Sequence, residues 1–445
     1  MNRPHVITLK NYLQGISSLQ IKTLLAGLLS TALYLYLALS SQHYGQATFN
    51  QMFWICICCT FICFLIWHQH HSNKIQISIT YLLAFAIVFR AIGISAFPIL
   101  EDDMYRYLWD ARMTMETGSP YNIAPSAFFD NTNLSDRFDH ILNLINYPDI
   151  ATVYGPVSQL FFALGYLIAP GEIWPLQLLL SVADITIILI LLRLSQPNNV
   201  LLYAWCPLII KEFAFTAHPD VLGALFIMMA LLMIKKRHIK IAGFLLAFAA
   251  GVKVFALLII PFFLRLHFRA WFVFLATACI IALPFGIIDA WVPQGLKAMN
   301  DNWLFNAPIY ELFSHWTSIK TIKIVLLIAL AFGTGAYLLT VLINRQPIEH
   351  IRGDLLYGAL LLATPVLNPW YVVWLLPFAA LRPSLWAWTA STTLLLSYAT
   401  GLNLDNNTLE AYQLPNWAII IEFSLIIVAF YVGRRLKLRL TTTRV

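Results

Sequence analysis

Charge is what this chain has least of. Only 11% of its 445 residues are charged while 60% are hydrophobic, less than half the charge of an ordinary soluble domain. That scarcity excludes a water-soluble globular fold. No Rossmann fingerprint or P-loop stands between the apolar runs, which excludes a built-in nucleotide-binding domain. Internal repeats and low-complexity linkers are lacking too, so residues 1–445 read as a single membrane domain. Cysteine is sparse: Cys56, Cys58, Cys59, Cys63, Cys206 and Cys279 all fall within apolar runs, which excludes a disulfide framework and a thiolate metal site in a watery loop. His68, His70 and His71, beside Lys74, form the one histidine cluster, and they read as a solvated loop.

What is present is a succession of apolar segments at about 23–40, 52–67, 77–97, 154–169, 173–194, 200–217, 219–234, 240–264, 270–288, 321–343, 354–367, 369–381, 384–401 and 415–433. Many reach the roughly 17 to 25 residues needed to cross a bilayer as a helix. The first is expected to stay as an anchor. The net charge of +7 comes from clusters at segment ends, such as Lys235, Lys236, Arg237 and Lys240, so it reads as cytoplasmic-side topology rather than as a nucleic-acid surface. Strict alternation would put that cluster outside. Two segments are therefore expected not to cross: 154–169, which opens with Gly155 and Pro156, and 240–264, which carries Gly251 and Lys253 at its middle and reads as a re-entrant pair of half-helices. The expected fold class is an all-α polytopic membrane protein of about twelve transmembrane helices, with both termini and the Arg434 to Arg439 tail inside.

Two long loops then share the opposite side, 98–153 and 289–320. The first holds nine of the chain's 21 acidic residues, as an external loop permits. Residues 101–115, EDDMYRYLWDARMTM, read as an amphipathic helix on the membrane surface, with Met104, Leu108, Ala111 and Met115 on its apolar face. The opposite arc gathers Asp102, Asp103, Arg106 and Asp110, flanked by Tyr105 and Trp109, both leading acids facing water; a set of i,i+4 surface ion pairs such as Arg106 with Asp110 explains it equally well. A second polar group, KEFAFTAHPD, brings Lys211, Glu212, His218 and Asp220 to the same membrane side, with Lys211 and Glu212 also readable as a neutralised pair. Arg90 lies in the outer half of the 77–97 segment. Ionisable groups within a bilayer are costly and point to function by default. Arg90, Arg106, Arg112 and Lys253 are the cations available for a phosphate. Tyr121, Tyr147, Tyr154, Trp303, Asn306, Tyr310 and Trp316 are candidate walls for a sugar, although aromatics at this level also serve as interfacial belts.

These pieces resemble the GT-C glycosyltransferases, closest to bacterial polyprenyl-phosphomannose-dependent mannosyltransferases and to the catalytic subunit of the glycosylphosphatidylinositol mannosyltransferase. The resemblance rests on EDDMYRYLWDAR, GSPYNIAP, VYGPVSQ, KEFAFTAHPD, GVKVFALLIIPFFL, WLFNAPIYEL and NPWYVVWLLPF, which run in family order and include Glu101 and Tyr371. It implies a GT-C-type helix bundle with 98–153 as catalytic loop. It also implies a polyprenyl-phosphate sugar donor, a lipid-linked or glycan acceptor, and a single inverting displacement with Asp102 or Asp103 as base. Arg106, Arg90 and Lys253 would stabilise the leaving phosphate. The acids read Glu-Asp-Asp rather than Asp-x-Asp, and His218-Pro219-Asp220 stands for His-Asn-Asp, so the resemblance fixes no cofactor and leaves a divalent cation at the acidic loop open. A transporter or flippase, and a polymerase or ligase of lipid-linked glycans, are the rival readings. A bacterial plasma membrane is the expected location, ahead of an endoplasmic reticulum in which Asn133 and Asn406 would be glycosylation sequons.

Overall fold

In a computed structural model, residues 9–40, 44–382 and 384–435 are described, and they are helical throughout, with one isolated bridge between Phe305 and Val366 in place of any sheet. Six helices are long and apolar enough to cross a membrane: Ser18–Ser40, Gln46–Ser72, Trp174–Leu194, Phe268–Phe285, Ile319–Ile343 and Asn416–Arg435. A seventh span arises if Pro207–Phe215 and Asp220–Lys235, bent by 115° at the break between them, are one crossing. Among the described residues, length and apolarity thus identify six or seven of the twelve spans expected, beside four shorter apolar helices, Ile79–Ile94, Pro156–Ile168, Ile239–Val252 and Gly353–Ala363. The remaining apolar segments are cut short at proline and at one extended lysine. Pro207 splits the 200–217 segment, Pro369 and Pro377 divide the segment that follows Asn368, and Lys253, extended at φ −158° and ψ 141°, interrupts 240–264. Proline removes a backbone donor and clashes with the preceding turn, so each apolar run yields short helices where an uninterrupted one would have yielded a span. The basic residues beyond Arg435 lie outside the described residues.

Packing follows the apolar faces. The Ile239–Val252 helix packs between Asp220–Lys235 and Phe268–Ala282, and Asp220–Lys235 packs in turn on Trp174–Leu194. The Ile319–Ile343 helix instead leaves Ile324, Val325, Leu327, Ile328 and Phe332 exposed, an apolar surface suited to lipid. Gly155 and Gly251 meet where a side chain on either would strike the other strand of chain: a Cβ on Gly155 would run into the carbonyl of Gly251, and one on Gly251 into Val157. This close approach lets Tyr154 and Lys253 come to one place.

Two sequence readings are corrected here. His70 is buried inside the end of the Gln46–Ser72 helix, its Nε2 2.9 Å from Thr23 Oγ1 and its Nδ1 3.2 Å from the carbonyl of Ile75, so at that position the histidine cluster ties two helices together rather than forming a solvated loop. The surface helix runs Asp103–Thr117 instead of 101–115. Met104, Leu108 and Ala111 are buried on its packed face as expected, but Met115 is exposed and Asp110, placed on the outward arc, is fully buried.

Candidate active site

The acidic loop, the Lys253 break and the apolar Ile319–Ile343 helix enclose one cavity of about 1630 Å³. It is lined by the polar residues Glu101, Asp102, Asp103, Arg106, Tyr154, Asp220 and Lys253, by the aromatic residues Tyr147, Trp303, Trp370, Tyr371 and Tyr412, and by the apolar residues Leu327, Leu330, Ala331 and Leu338.

The acids stand at the start of the Asp103–Thr117 helix, where Asp102 is the residue that precedes the first turn and the helix dipole favours negative charge. Leu100, just before them, is held at φ 60°, a left-handed conformation that a branched residue adopts only under constraint. Asp102 accepts from the Tyr412 hydroxyl at 2.8 Å. Asp103 accepts from Tyr154 at 3.1 Å and from Tyr107 at 3.4 Å through Oδ2. Both acids are half-buried, not freely facing water as expected. Burial, with Asp103 next to it, pushes the Asp102 carboxyl above its usual range against the pull of hydrogen bonds from Tyr412, Tyr44 and Asn146. Burial also pushes Glu101 well up, its acidic neighbours adding to the effect and the Lys211 ammonium opposing it.

His218 arrives from the other side. The Lys211–Phe215 segment is a π-helical turn, a distortion that recurs at functional sites, and Ala217 after it sits at φ 58°. The turn directs Lys211 and Glu212 inward, where Glu212 accepts from Tyr398 at 2.9 Å and lies 3.1 Å from His218 Nδ1. The Lys211 ammonium lies 3.5 Å from Glu212 and 3.5 Å from the Tyr398 ring centroid. The imidazole stacks on Trp370 at 3.8 Å and 14°. Its Nε2 points at the acids, 3.9 Å from Glu101 Oε2 and 3.9 Å from Asp103 Oδ2.

Lys253 completes the polar lining. Its ammonium is 3.0 Å from Asp220 Oδ1 and 3.5 Å from the centroid of Tyr371, and Asp220 also accepts from the Trp374 indole at 2.7 Å. The chain break at Lys253 is what aims this side chain into the cavity.

Residues 13–269, more than half of the chain, match the family described as alpha-(1->6)-mannopyranosyltransferase, N-terminal domain. The chain belongs to that family. It is a membrane mannosyltransferase, as the sequence motifs implied. No curated protein and no solved structure matches it.

In this mannosyltransferase the matched residues include the acids, Arg106, Asp220 and Lys253, whereas Trp303, Trp370, Tyr371, Tyr398 and Tyr412 lie beyond them. Of the sequence-predicted residues, the cavity brings together Glu101, Asp102, Asp103, Arg106, Tyr154, Asp220, Lys253, Trp303 and Tyr371, with His218, Glu212 and Lys211 directly behind its acids. The Arg106 guanidinium donates to the carbonyls of Ile150 and Tyr147 at 2.8 and 3.2 Å, so it shapes the cavity rim in place of the expected pair with Asp110. Asp110 instead accepts from Thr152 and from Gln159, the latter at 3.1 Å.

Others lie elsewhere. Arg90 is buried against Asp184 at 2.7 Å and donates to the carbonyl of Ala204 at 2.6 Å, so its guanidinium is consumed inside the bundle. Arg112 pairs with Glu116 at 2.8 Å and covers Phe138. Trp109 is core, with Phe138 and Ile141, and Tyr105 packs at the edge of the same cluster. Tyr121 donates to the carbonyl of Tyr154 at 2.9 Å, and Tyr310 to that of Ala363 at 2.8 Å; both are buried supports beneath the wall. Tyr44, Trp370, Tyr398 and Tyr412 were not singled out from sequence. The signal for Trp370 was in the NPWY motif, and for Tyr412 in its position in the loop between two apolar segments.

Proposed function

We propose that the protein moves one mannose from a polyprenyl-phosphate carrier to a lipid-linked or glycan acceptor, on the extracytoplasmic side of a bacterial plasma membrane, by one inverting displacement. The observation that carries this reading is that a single cavity is lined both by an acid pair with the half-buried Lys253 and by the apolar Ile319–Ile343 helix. A lipid-phosphate sugar has that same division of chemistry, and no nucleotide fold is needed to bind it. Sidedness is supported by the acids of the 98–153 loop and by the basic clusters at the other helix ends.

Asp102 serves as the general base. Its carboxylate lies beside Tyr412, and Tyr147 bridges Tyr412 to Trp303, with ring centroids 6.2 and 4.3 Å apart. Aromatic faces next to a base suit an acceptor sugar whose hydroxyl must be deprotonated as it attacks. Lys253 faces the developing charge on the departing phosphate. A lipid phosphate leaves without help from an acid.

The test is transfer of labelled mannose by the purified protein from synthetic polyprenyl-phosphomannose, with nucleotide-activated mannose as the comparison donor. Transfer from the lipid donor alone supports the reading. Transfer from the nucleotide donor, or from neither, overturns it.

A further inference from the structure

An anionic donor meets an uneven set of charges in this cavity. Glu101, Asp102, Asp103, Asp220 and Glu410 line it, against Arg106, Lys253, Lys297 and Lys323; Lys253 is already paired with Asp220, and the Arg106 guanidinium is held by two backbone carbonyls. Three of those acids are consecutive, Glu101 to Asp103, and carboxylates so grouped repel a phosphate when ionised unless positive charge sits among them.

The structure shows where that charge would sit. Glu101, Asp103 and His218 each present one ligand atom, all within 4.8 Å of one another. The imidazole Nε2 of His218 is fully buried and has no hydrogen-bond partner, although buried ring nitrogens are ordinarily paired. Its other nitrogen is fixed by Glu212 and Thr216 at 3.1 and 3.0 Å, and its face by Trp370. That is how a ligating histidine is usually held, with the second nitrogen oriented by a carboxylate. The Asp103 side chain is a third exposed, and an ion bound at about 2.0 to 2.2 Å would draw its Oδ2 away from Tyr154 and Tyr107, whose hydroxyls it now accepts from.

We infer that Glu101, Asp103 and His218 form a binding site for one divalent transition cation, of the Mn²⁺ or Zn²⁺ class, whose open positions face the cavity. One imidazole nitrogen with two carboxylate oxygens fits those ions better than Ca²⁺ or Mg²⁺, which prefer oxygen alone. The ion's role, to bind the donor phosphate and offset the acids, rests on the function proposed above; the site itself rests on the geometry. Asp102 points toward Tyr412 and is not a ligand.

Mn²⁺ added to the full-length protein in nanodiscs, followed by electron paramagnetic resonance, tests this. The wild type is expected to bind one Mn²⁺ per chain with electron spin-echo modulation from an imidazole ¹⁴N. His218→Gln should lose the modulation and weaken binding at least tenfold. Glu101→Gln, at the cavity rim, should weaken it as well and serves if His218→Gln does not fold. Asp102→Asn should bind Mn²⁺ as the wild type does while losing transfer. No bound Mn²⁺, bound Mn²⁺ without nitrogen modulation, or unchanged binding in His218→Gln overturns the site. Undiminished wild-type transfer after chelation alongside such a result leaves the proposed function standing, whereas stoichiometric Mn²⁺ on a protein with no transfer leaves the site standing and removes that function.

Discussion

The ammonium of Lys253 lies 3.0 Å from Asp220, at the point where the 240–264 segment breaks. The pair couples two helices and leaves one face of the ammonium toward the cavity. Lys253→Ala should lower kcat/KM for the lipid donor about 10- to 100-fold, the range expected for losing one charge-assisted hydrogen bond of roughly 1.5 to 3 kcal/mol. The effect should fall on donor rather than acceptor kinetics, and steady-state assays varying each substrate separately check it.

Arg90 and Asp184 form a second pair, with no access to the cavity. Asp184→Ala should destabilise the protein by about 3 to 5 kcal/mol, because it strands a buried guanidinium. The double variant Arg90→Leu with Asp184→Leu should recover much of that loss and keep the wild-type KM for donor. Thermal unfolding in detergent and donor titration read the two quantities. A donor KM raised in the well-folded double variant would return Arg90 to the phosphate-binding set.

Much of this was legible in the sequence, and the failures have a common cause. Charge scarcity and apolar length identify a membrane bundle because a bilayer imposes both. The acids, the histidine turn and Lys253 were legible as chemistry because ionisable groups so placed are expensive. Periodicity, however, reports which face of a helix is polar, not which partner meets it. Asp110 and Trp109 lie on the arc read as outward, yet Thr152 and Gln159 come from distant positions to satisfy the one and Phe138 and Ile141 cover the other. The ion pair of Arg90 was not legible for the same reason, since its partner Asp184 lies 94 residues away. Helix boundaries were less legible where prolines cut apolar runs into short pieces.

Asp110 also makes a pH prediction. Burial raises its carboxyl from the usual value to about 6. A folded-state pKa above the unfolded one means the protonated form is favoured by folding, so this contribution is fully present below the unfolded value near 3.9 and is lost as pH rises through about 6. Asp110→Asn, which keeps an acceptor for Thr152 and Gln159, should remove this dependence. Melting temperatures measured between pH 5 and 8 should therefore fall less with rising pH in the variant than in the wild type, the difference amounting to about 2 kcal/mol at most.

Trp303 packs against Tyr147 in the aromatic wall, with ring centroids 4.3 Å apart and planes tilted by 52°. Trp303→Ala should raise the acceptor KM about 3- to 10-fold, in line with the roughly 0.5 to 1.5 kcal/mol of an aromatic contact, and leave the donor KM unchanged. A change confined to the donor would reverse the assignment of donor and acceptor sides.

The most direct measurement is mannose transfer from polyprenyl-phosphomannose by wild type and Asp102→Asn, with melting temperature and donor binding recorded for both. The account predicts an intact fold, retained donor binding and a rate reduced by at least about 10²-fold in the variant, the scale of a lost general base. Transfer at the wild-type rate by a folded Asp102→Asn protein would contradict it.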